Sequence, residues 1–259
     1  MATYLDRILD HHRAIAASDT RPLPPLVERA MAMPAPRGFA AALRVIGPLH
    51  VISEVKRRSP SKGDLAIDLD PAELAADYER GGASCLSVLT DEEFFGGSAD
   101  DLQRARAACS LPVLRKDFTM SLHDVCDARL IGADCVLLIA AALDSRLLSR
   151  MHALAEQIGL DVLVEIHDEL ELVAACTAGA TLIGVNQRDL VTFEVDHERA
   201  LRMAAAIPDD VVKVAESGVR GAVDAAALHD AGYHAVLVGE TLVTSADPAA
   251  TIRSLRSGT

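Results

Sequence analysis

A β-then-α alternation that recurs eight times constrains the fold of this chain more than any other feature. Short apolar runs rich in β-branched residues start about 20 to 35 residues apart, which leaves room for one helix between neighbouring strands. The predicted strands span residues 49–56, 84–89, 112–117, 134–139, 161–166, 181–186, 210–215 and 235–239. The predicted helices span residues 71–81, 98–109, 121–132, 144–159, 168–178, 196–206, 220–231 and 247–256.

This repeat predicts an α/β fold with a parallel sheet. Runs such as 135–139 and 235–238 are apolar at every position, which is typical of strands buried on both faces. Eight βα units within about 210 residues predict a (β/α)8 TIM barrel, with a doubly wound open sheet as the alternative.

Residues 1–47 precede the first unit, and we expect an N-terminal helical extension that packs on the barrel. The pattern predicts a helix near 3–17, a proline-rich stretch from Pro22 to Pro36, and a short helix near 37–44. The predicted division is an extension at 1–47 and a catalytic barrel at 48–259, in a single domain overall.

Charge and cysteine content narrow the class of protein. A net charge of −13 argues against nucleic acid or an anionic membrane as the partner, although a small anionic ligand remains compatible. The longest apolar run, 135–143, is too short to span a bilayer, and the N-terminus lacks a signal-peptide core. Five cysteines without a CxxC motif indicate buried, reduced thiols and a cytoplasmic protein.

The chain has only four lysines, and two of them end predicted strands. Glu54 and Lys56 are two positions apart and therefore share one face of the first strand, and Lys116 ends the third. The pKa of a lysine shifts readily on burial, so Lys56 and Lys116 are candidate proton donors. We expect Lys213, which lies in mid-strand, to be structural.

Ionisable or hydrogen-bonding side chains end six of the eight predicted strands. In TIM barrels the catalytic residues gather at the carboxyl ends of the strands. A single such residue is compatible with a structural ion pair, but six together predict an active site. The strand-end residues are Glu54, Lys56, Lys116, Glu165, Asn186, Glu216, Ser217, Gly239 and Glu240.

Three turns at this end predict a phosphate site. Ser59 to Gly63 forms a turn with hydroxyls and a lysine, and the turns at Ser217–Gly218 and Gly239–Glu240 present backbone N–H groups to an anion. Glu240 would contribute its backbone N–H alone. The cations that could supply local positive charge are Arg57, Arg58, Lys62, Arg115 and Arg188.

Three of the five phenylalanines, Phe94, Phe95 and Phe118, are expected at the same barrel mouth, where they would line a pocket for a flat apolar ring. The pair His11–His12 is predicted to be solvated, without a third metal ligand at suitable spacing. The acidic runs 91–93 and 100–101 are predicted to be solvated surface or helix starts.

Seven segments, in order over about 190 residues, resemble indole-3-glycerol-phosphate synthases. They are residues 54–63, 86–95, 114–118, 164–167, 184–190, 215–218 and 238–239. The resemblance implies a tryptophan-pathway enzyme that converts 1-(o-carboxyphenylamino)-1-deoxyribulose 5-phosphate into indole-3-glycerol phosphate, CO2 and water. It implies no metal or organic cofactor. We expect a monomer or weak homo-oligomer with a small phosphorylated substrate as its partner.

The resemblance also implies residue roles. Lys116 is implied as the general acid, while Glu165 shares the later proton transfers with a lysine and Lys56 holds the substrate carboxylate. Glu54 and Asn186 orient these groups, and Glu216 and Ser217 complete the wall. The implied substrate-binding residues are Ser59, Phe95, Phe118, Arg188, Leu190, Gly218, Val238, Gly239 and Glu240.

Two alternatives remain open. One is another phosphosugar barrel enzyme, either an isomerase or an aldolase that forms a Schiff base on Lys116 or Lys213. The other is a non-catalytic barrel that binds a phosphorylated ligand, but binding alone does not require matched acids and bases at the strand ends.

Overall fold

The computed structural model of the protein describes residues 3–258, and its centre is a closed barrel of eight parallel strands. This closure confirms the (β/α)8 prediction and excludes the open sheet. The barrel strands are β1 (His50–Val55), β4 (Cys85–Leu89), β5 (Val113–Lys116), β6 (Cys135–Ile139), β7 (Asp161–Ile166), β8 (Leu182–Asn186), β9 (Val212–Glu216) and β10 (Ala235–Val238). Their order around the barrel is β1-β10-β9-β8-β7-β6-β5-β4. A small antiparallel hairpin after β1 consists of β2 (Arg58–Ser59) and β3 (Gly63–Asp64).

Helices surround the barrel and form the N-terminal extension. In chain order they are α1 (Tyr4–Ser18), α2 (Leu23–Met31), α3 (Phe39–Leu43), α4 (Pro71–Gly81), α5 (Glu92–Phe95), α6 (Ala99–Ala108), α7 (Leu122–Leu130), α8 (Ser145–Gln157), α9 (Glu169–Thr177), α10 (Arg199–Met203), α11 (Ala222–Asp230), α12 (Glu240–Val243) and α13 (Pro248–Ser257). The sequence pattern missed α2, because prolines at 24 and 25 suggested a break. Both prolines lie in the first helical turn, where no intrahelical N–H bond is lost.

Side chains that point into the barrel change from apolar to charged along four strands. Because residues i and i+2 share a face, each apolar inward residue precedes a charged one. The pairs are Ile52 with Glu54, Leu114 with Lys116, Leu163 with Glu165, and Val214 with Glu216. The apolar members form a buried layer, so the charged members stand on a packed floor.

The N-terminal extension contacts the barrel at both ends. Phe39 and Leu43 of α3 are fully buried against the inner apolar layer, and the Phe39 carbonyl accepts from Cys85 at the start of β4. Leu9 of α1 joins the same cluster, and His12 of α1 contacts Asp91, which follows the carboxyl end of β4. Residues 1, 2 and 259 of the predicted division lie outside the described residues, and the boundary at 47/48 stays a prediction.

The cysteine prediction is partly wrong. All five thiols are free, but Cys176 is exposed and Cys109 is half-buried, whereas Cys85, Cys126 and Cys135 are buried as expected. Between residues 3 and 258, no helix combines the length and the apolar character that crossing a membrane requires.

Asp134 ties the extension to the barrel. Its fully buried carboxylate accepts hydrogen bonds from the backbone N–H of Arg37 at 2.8 Å and of Val113 at 2.9 Å, and from the Arg106 guanidinium at 2.8 Å. Three donors therefore converge on one carboxylate, which explains how a charge is retained where no water reaches it.

We expect Asp134→Ala to destabilise the protein by about 3 kcal/mol, because it leaves buried donors without an acceptor. Thermal unfolding should show a melting temperature lower by about 6 °C or more. The matched control is Asp10→Ala, since the Asp10 side chain is 74% exposed. Equal melting temperatures for the two variants would contradict the proposed role of Asp134.

Candidate active site

One cavity of about 680 Å³ opens at the carboxyl ends of the barrel strands. All of the catalytic and substrate-binding residues implied by the family resemblance line it, although their roles stay predictions. They are Glu54, Lys56, Ser59, Phe95, Lys116, Phe118, Glu165, Asn186, Arg188, Leu190, Glu216, Ser217, Gly218, Val238, Gly239 and Glu240.

Lys116 is the central cation of this cavity. Its Nζ lies 3.3 Å from Glu165 Oε2 and 3.6 Å from Glu216 Oε2. Burial lowers the pKa of Lys116, but the neighbouring carboxyl groups, Glu165 above all, more than offset this and raise the pKa above its ordinary value. Lys116 therefore carries a proton at neutral pH. It can donate that proton only to a group that competes with these carboxyl groups for contact with the ammonium.

The two carboxyl groups beside Lys116 titrate differently. Burial raises the pKa of Glu165, but Lys116, His167 and a 2.9 Å hydrogen bond from Asn186 lower it by more, so the net shift is downward. Burial and the charge of Glu165 together raise the pKa of Glu216 to about 8, although Lys116 opposes them. At pH 7 the site thus holds one ionised and one protonated carboxyl, an arrangement that suits acid–base chemistry.

A second ion pair lies beside the first. Lys56 Nζ contacts Glu54 Oε1 at 2.6 Å, and the hydroxyl of Ser87 donates to Glu54 Oε2 at 3.4 Å. Gly239 makes room for this pair, because a Cβ there would lie 2.2 Å from Glu54 Oε1 and 2.8 Å from Lys56 Nζ. The pair therefore fills the space that any other residue at position 239 would need.

The turn after β9 has a backbone that glycine favours. Ser217 has φ 64° and Gly218 has φ 73°, and a Cβ at 218 would lie 2.6 Å from Val195 Cγ1. This conformation brings the backbone against the cavity, where its N–H groups are suited to an anion. Lys62 also lines the cavity and lies 3.6 Å from the Glu240 carboxylate, so the Glu240 side chain faces Lys62, and the role of its N–H stays a prediction.

Aromatic rings line the other end of the cavity. Phe95 and Phe118 both line it, with their ring centroids 6.4 Å apart. The prediction for Phe94 was wrong, because its buried ring packs edge-on against Tyr4 and His11 and does not line the cavity. Sequence reasoning missed further apolar lining residues, namely Leu5, Ile8 and Phe193.

His12 is not solvated, contrary to the sequence-based prediction. Its Nε2 lies 2.7 Å from Asp91 Oδ2, its ring stacks on Phe118 at 5.4 Å, and Asp117 lies 4.0 Å away. These three polar side chains place ligand-type atoms within 4.8 Å of one another. All three side chains have partners within the protein: His12 bonds to Asp91, and Arg115 donates to Asp117. We therefore interpret the group as a contact that holds α1 at the mouth of the barrel.

The acids and arginines near the mouth also depart from prediction. Asp91 caps α5 as a helix-start acid, but it is buried, and so is Asp101. Arg57 pairs with Asp101 at 2.7 Å, and Arg115 pairs with Asp117 at 2.9 Å. Neither of these two arginines lines the cavity. Arg58 does not line it either and donates to the Glu92 carbonyl. Of the five cations proposed from the sequence, Lys62 and Arg188 are therefore the two that line the cavity.

Lys213 lies away from the cavity, as expected for a structural lysine. It is buried near the start of β9, where its Nζ donates to the Ala204 carbonyl at 3.0 Å.

His167 is a residue of this region that the sequence analysis did not single out. The available signal was its position two residues after Glu165, since residues two apart at a strand end share a face. Its Nε2 lies 3.8 Å from Glu165 Oε1.

Comparison with known proteins agrees with this geometry. The family model described as "Indole-3-glycerol phosphate synthase" matches residues 5–255. A protein of that name from Streptomyces griseus is 53% identical over 97% of this chain and 94% of its own length. Proteins of that name from Mycolicibacterium vanbaalenii and Mycolicibacterium gilvum are each 50% identical over 98% of this chain and 94% of theirs.

A solved structure supports the fold alone. Thiamine phosphate pyrophosphorylase from Pyrococcus furiosus aligns with a TM-score of 0.60 at 16% identity, covering 82% of this chain and 94% of its own. The family match and the relatives at 50% identity or more establish more than the fold: they show that the chain belongs to the indole-3-glycerol phosphate synthase family.

Proposed function

We propose that this protein is a carboxy-lyase of tryptophan biosynthesis that acts as an indole-3-glycerol-phosphate synthase. It closes the ring of 1-(o-carboxyphenylamino)-1-deoxyribulose 5-phosphate and releases CO2 and water. The observation that carries this proposal is the buried Lys116 ammonium, which lies beside two carboxyl groups of unlike pKa in a cavity with aromatic rings at one end.

Ring closure needs an acid at the substrate carbonyl. When the aromatic carbon attacks that carbonyl, negative charge develops on its oxygen, and Lys116 donates a proton to it. Glu165 and Glu216 hold the ammonium 3.3 Å and 3.6 Å from their oxygens, so its position is set before substrate arrives. We assign Lys116 as the general acid of this step.

Decarboxylation needs the carboxylate to be held until the new bond has formed. Lys56, which is only partly exposed and contacts Glu54 at 2.6 Å, is placed to bind that carboxylate. When CO2 leaves, its bonding electron pair restores the aromatic ring. Glu54 keeps the Lys56 ammonium in place through the next step.

Dehydration needs one proton added to the hydroxyl and one removed from carbon. Glu165 is ionised and accepts a hydrogen bond from Asn186, so it is suited to take the carbon-bound proton, while a lysine protonates the leaving hydroxyl. Glu216 and Ser217 form the adjoining wall of the cavity.

The two ends of the cavity fit the two ends of this substrate. Phe95, Phe118 and Leu190 provide an apolar surface for the anthranilate ring. The turns that hold the phosphate would be those of Ser59, Gly218, Gly239 and the Glu240 N–H, with Arg188 nearby and Val238 in the wall.

An aldolase that forms a Schiff base is less well supported. Such a lysine must be an uncharged nucleophile, whereas the pKa of Lys116 is raised by the surrounding carboxylates. Lys213 does not line the cavity. Borohydride with a carbonyl substrate should therefore trap no covalent adduct.

We further propose that the protein works in the cytoplasm as a monomer or weak homo-oligomer. Its five free thiols are compatible with a reducing compartment, and so is a biosynthetic family.

Turnover is measurable by indole fluorescence, because the chain contains no tryptophan. We expect the wild-type protein to form product in the presence of EDTA, and Lys116→Met to lower kcat about 1,000-fold or more, since the variant lacks the acid assigned to the carbonyl oxygen. The matched control is Lys213→Met, which removes a buried lysine outside the cavity and should keep wild-type kcat within a few-fold. Undiminished turnover by Lys116→Met would refute the assignment of the acid.

Gly239→Ala should lower kcat about 100-fold, because the added Cβ displaces the Glu54–Lys56 pair by an ångström or more. The melting temperature should change little, since the displaced atoms are side-chain tips. Gly47→Ala is the control, because nothing lies within 4 Å of a Cβ there. Wild-type kcat in Gly239→Ala would show that the position of this ion pair is unimportant.

A further inference from the structure

His167 lies between two cavities. Glu165 lines the cavity at the barrel mouth, whereas His167 lines a second cavity of about 270 Å³, together with Asp168, Asp196 and Arg199. None of the residues that line the second cavity lines the first. His167 therefore lines the second cavity while its Nε2 faces Glu165 of the first.

The proposed reaction, on which this inference rests, takes up one proton from solvent in every turnover. Ring closure adds a proton to the carbonyl oxygen, and dehydration adds another to the hydroxyl that leaves as water. Only one proton returns, from the carbon that becomes part of the indole ring. The carboxylate leaves as CO2 and its electron pair stays in the ring, so the balance is substrate plus one proton to product, CO2 and water.

A proton source on the side away from the mouth would reprotonate the lysine while substrate still fills the mouth. Glu165 faces both ways: its Oε2 lies 3.3 Å from Lys116 Nζ, and its Oε1 lies 3.8 Å from His167 Nε2. That nitrogen is buried and has no hydrogen-bond partner. On its other side, His167 Nδ1 lies 3.0 Å from Glu171 Oε2.

We propose that His167 is a positioning and proton-relay residue that returns a proton from the second cavity, through Glu165, to Lys116. The proton moves from His167 Nε2 to Glu165 Oε1 after a small approach of the two side chains. Rotation of the carboxyl group then presents the proton to the neutral Lys116 amine. The imidazole ring is reprotonated from the second cavity.

The charged groups around His167 favour its protonated form. Glu165 of β7 and Glu171 of α9 face it, and Arg199 of α10 opposes them. The other charged residues that line the same cavity are Asp168, Glu169, Asp196 and Arg202. Burial lowers the pKa of His167, but the hydrogen bond with Glu171 and the charge of Glu165 outweigh it, so the net shift is upward. The imidazolium thus persists at a pH where a free histidine has lost its proton.

The test is a burst experiment with His167→Gln, followed by indole fluorescence. The first turnover uses protons already held at the mouth, so it should keep its wild-type rate. Later turnovers should slow about 10- to 100-fold, which leaves a burst of one product per site. A purely structural role would slow the first turnover equally. The matched control is His152→Gln, since His152 is another buried histidine with a glutamate four residues later and lies outside both cavities.

Two further variants keep the test decisive if His167→Gln folds poorly. Added imidazole should restore later turnovers in His167→Gly, because the second cavity admits it. In Glu171→Gln, the fall of kcat at high pH should move to lower pH, since the hydrogen bond that raises the His167 pKa is lost. Wild-type steady-state kcat in His167→Gln, or slow turnovers that imidazole leaves unchanged, would overturn the relay. Absence of product from the wild-type protein would instead refute the proposed function.

Discussion

A single buried ammonium organises the mouth of this barrel. Lys116 lies among the carboxyl groups of Glu165, Glu216 and Glu54, and the charge of Glu165 above all keeps it protonated despite its burial. The same cation stabilises the carboxylate of Glu165, whereas Glu216 beside it is pushed to a pKa of about 8. Because the three groups interact, removing one charge changes the ionisation of the others. The protonated Lys116, the ionised Glu165 and the neutral Glu216 therefore depend on one another.

Packing below and around this cluster keeps it in place. The inward apolar layer forms its floor, α3 closes the barrel beneath that layer, and α1 covers part of the mouth through His12 and Leu9. Glycines at 184 and 239 leave no spare room, because a Cβ at either position would lie about 2 Å from a carboxylate oxygen of Glu216 or Glu54. The site is therefore held by close contact as well as by charge.

Local pattern predicted the barrel and its strand-end residues because both follow from short-range geometry. Glu54, Lys116 and Glu165 were found because each lies at the carboxyl end of a predicted strand, where TIM barrels gather their catalytic residues. The contacts that were missed join distant segments: His12 meets Asp91, and Arg57 meets Asp101. No spacing rule links positions 79 or 44 residues apart in the sequence. The partners of these two acids therefore could not be predicted from local pattern, and the acids were predicted to be solvated.

The central claim is that the Lys116 cluster sets unlike charge states on neighbouring carboxyl groups. Carbon-13 NMR titration of glutamate side-chain carboxyls in the ligand-free protein tests it most directly, with Glu216→Gln to assign the signal. The account predicts one carboxyl that titrates near pH 8 and is absent from the Glu216→Gln spectrum. A Glu216 signal that titrates in the ordinary range, at about 4 to 5, would contradict it.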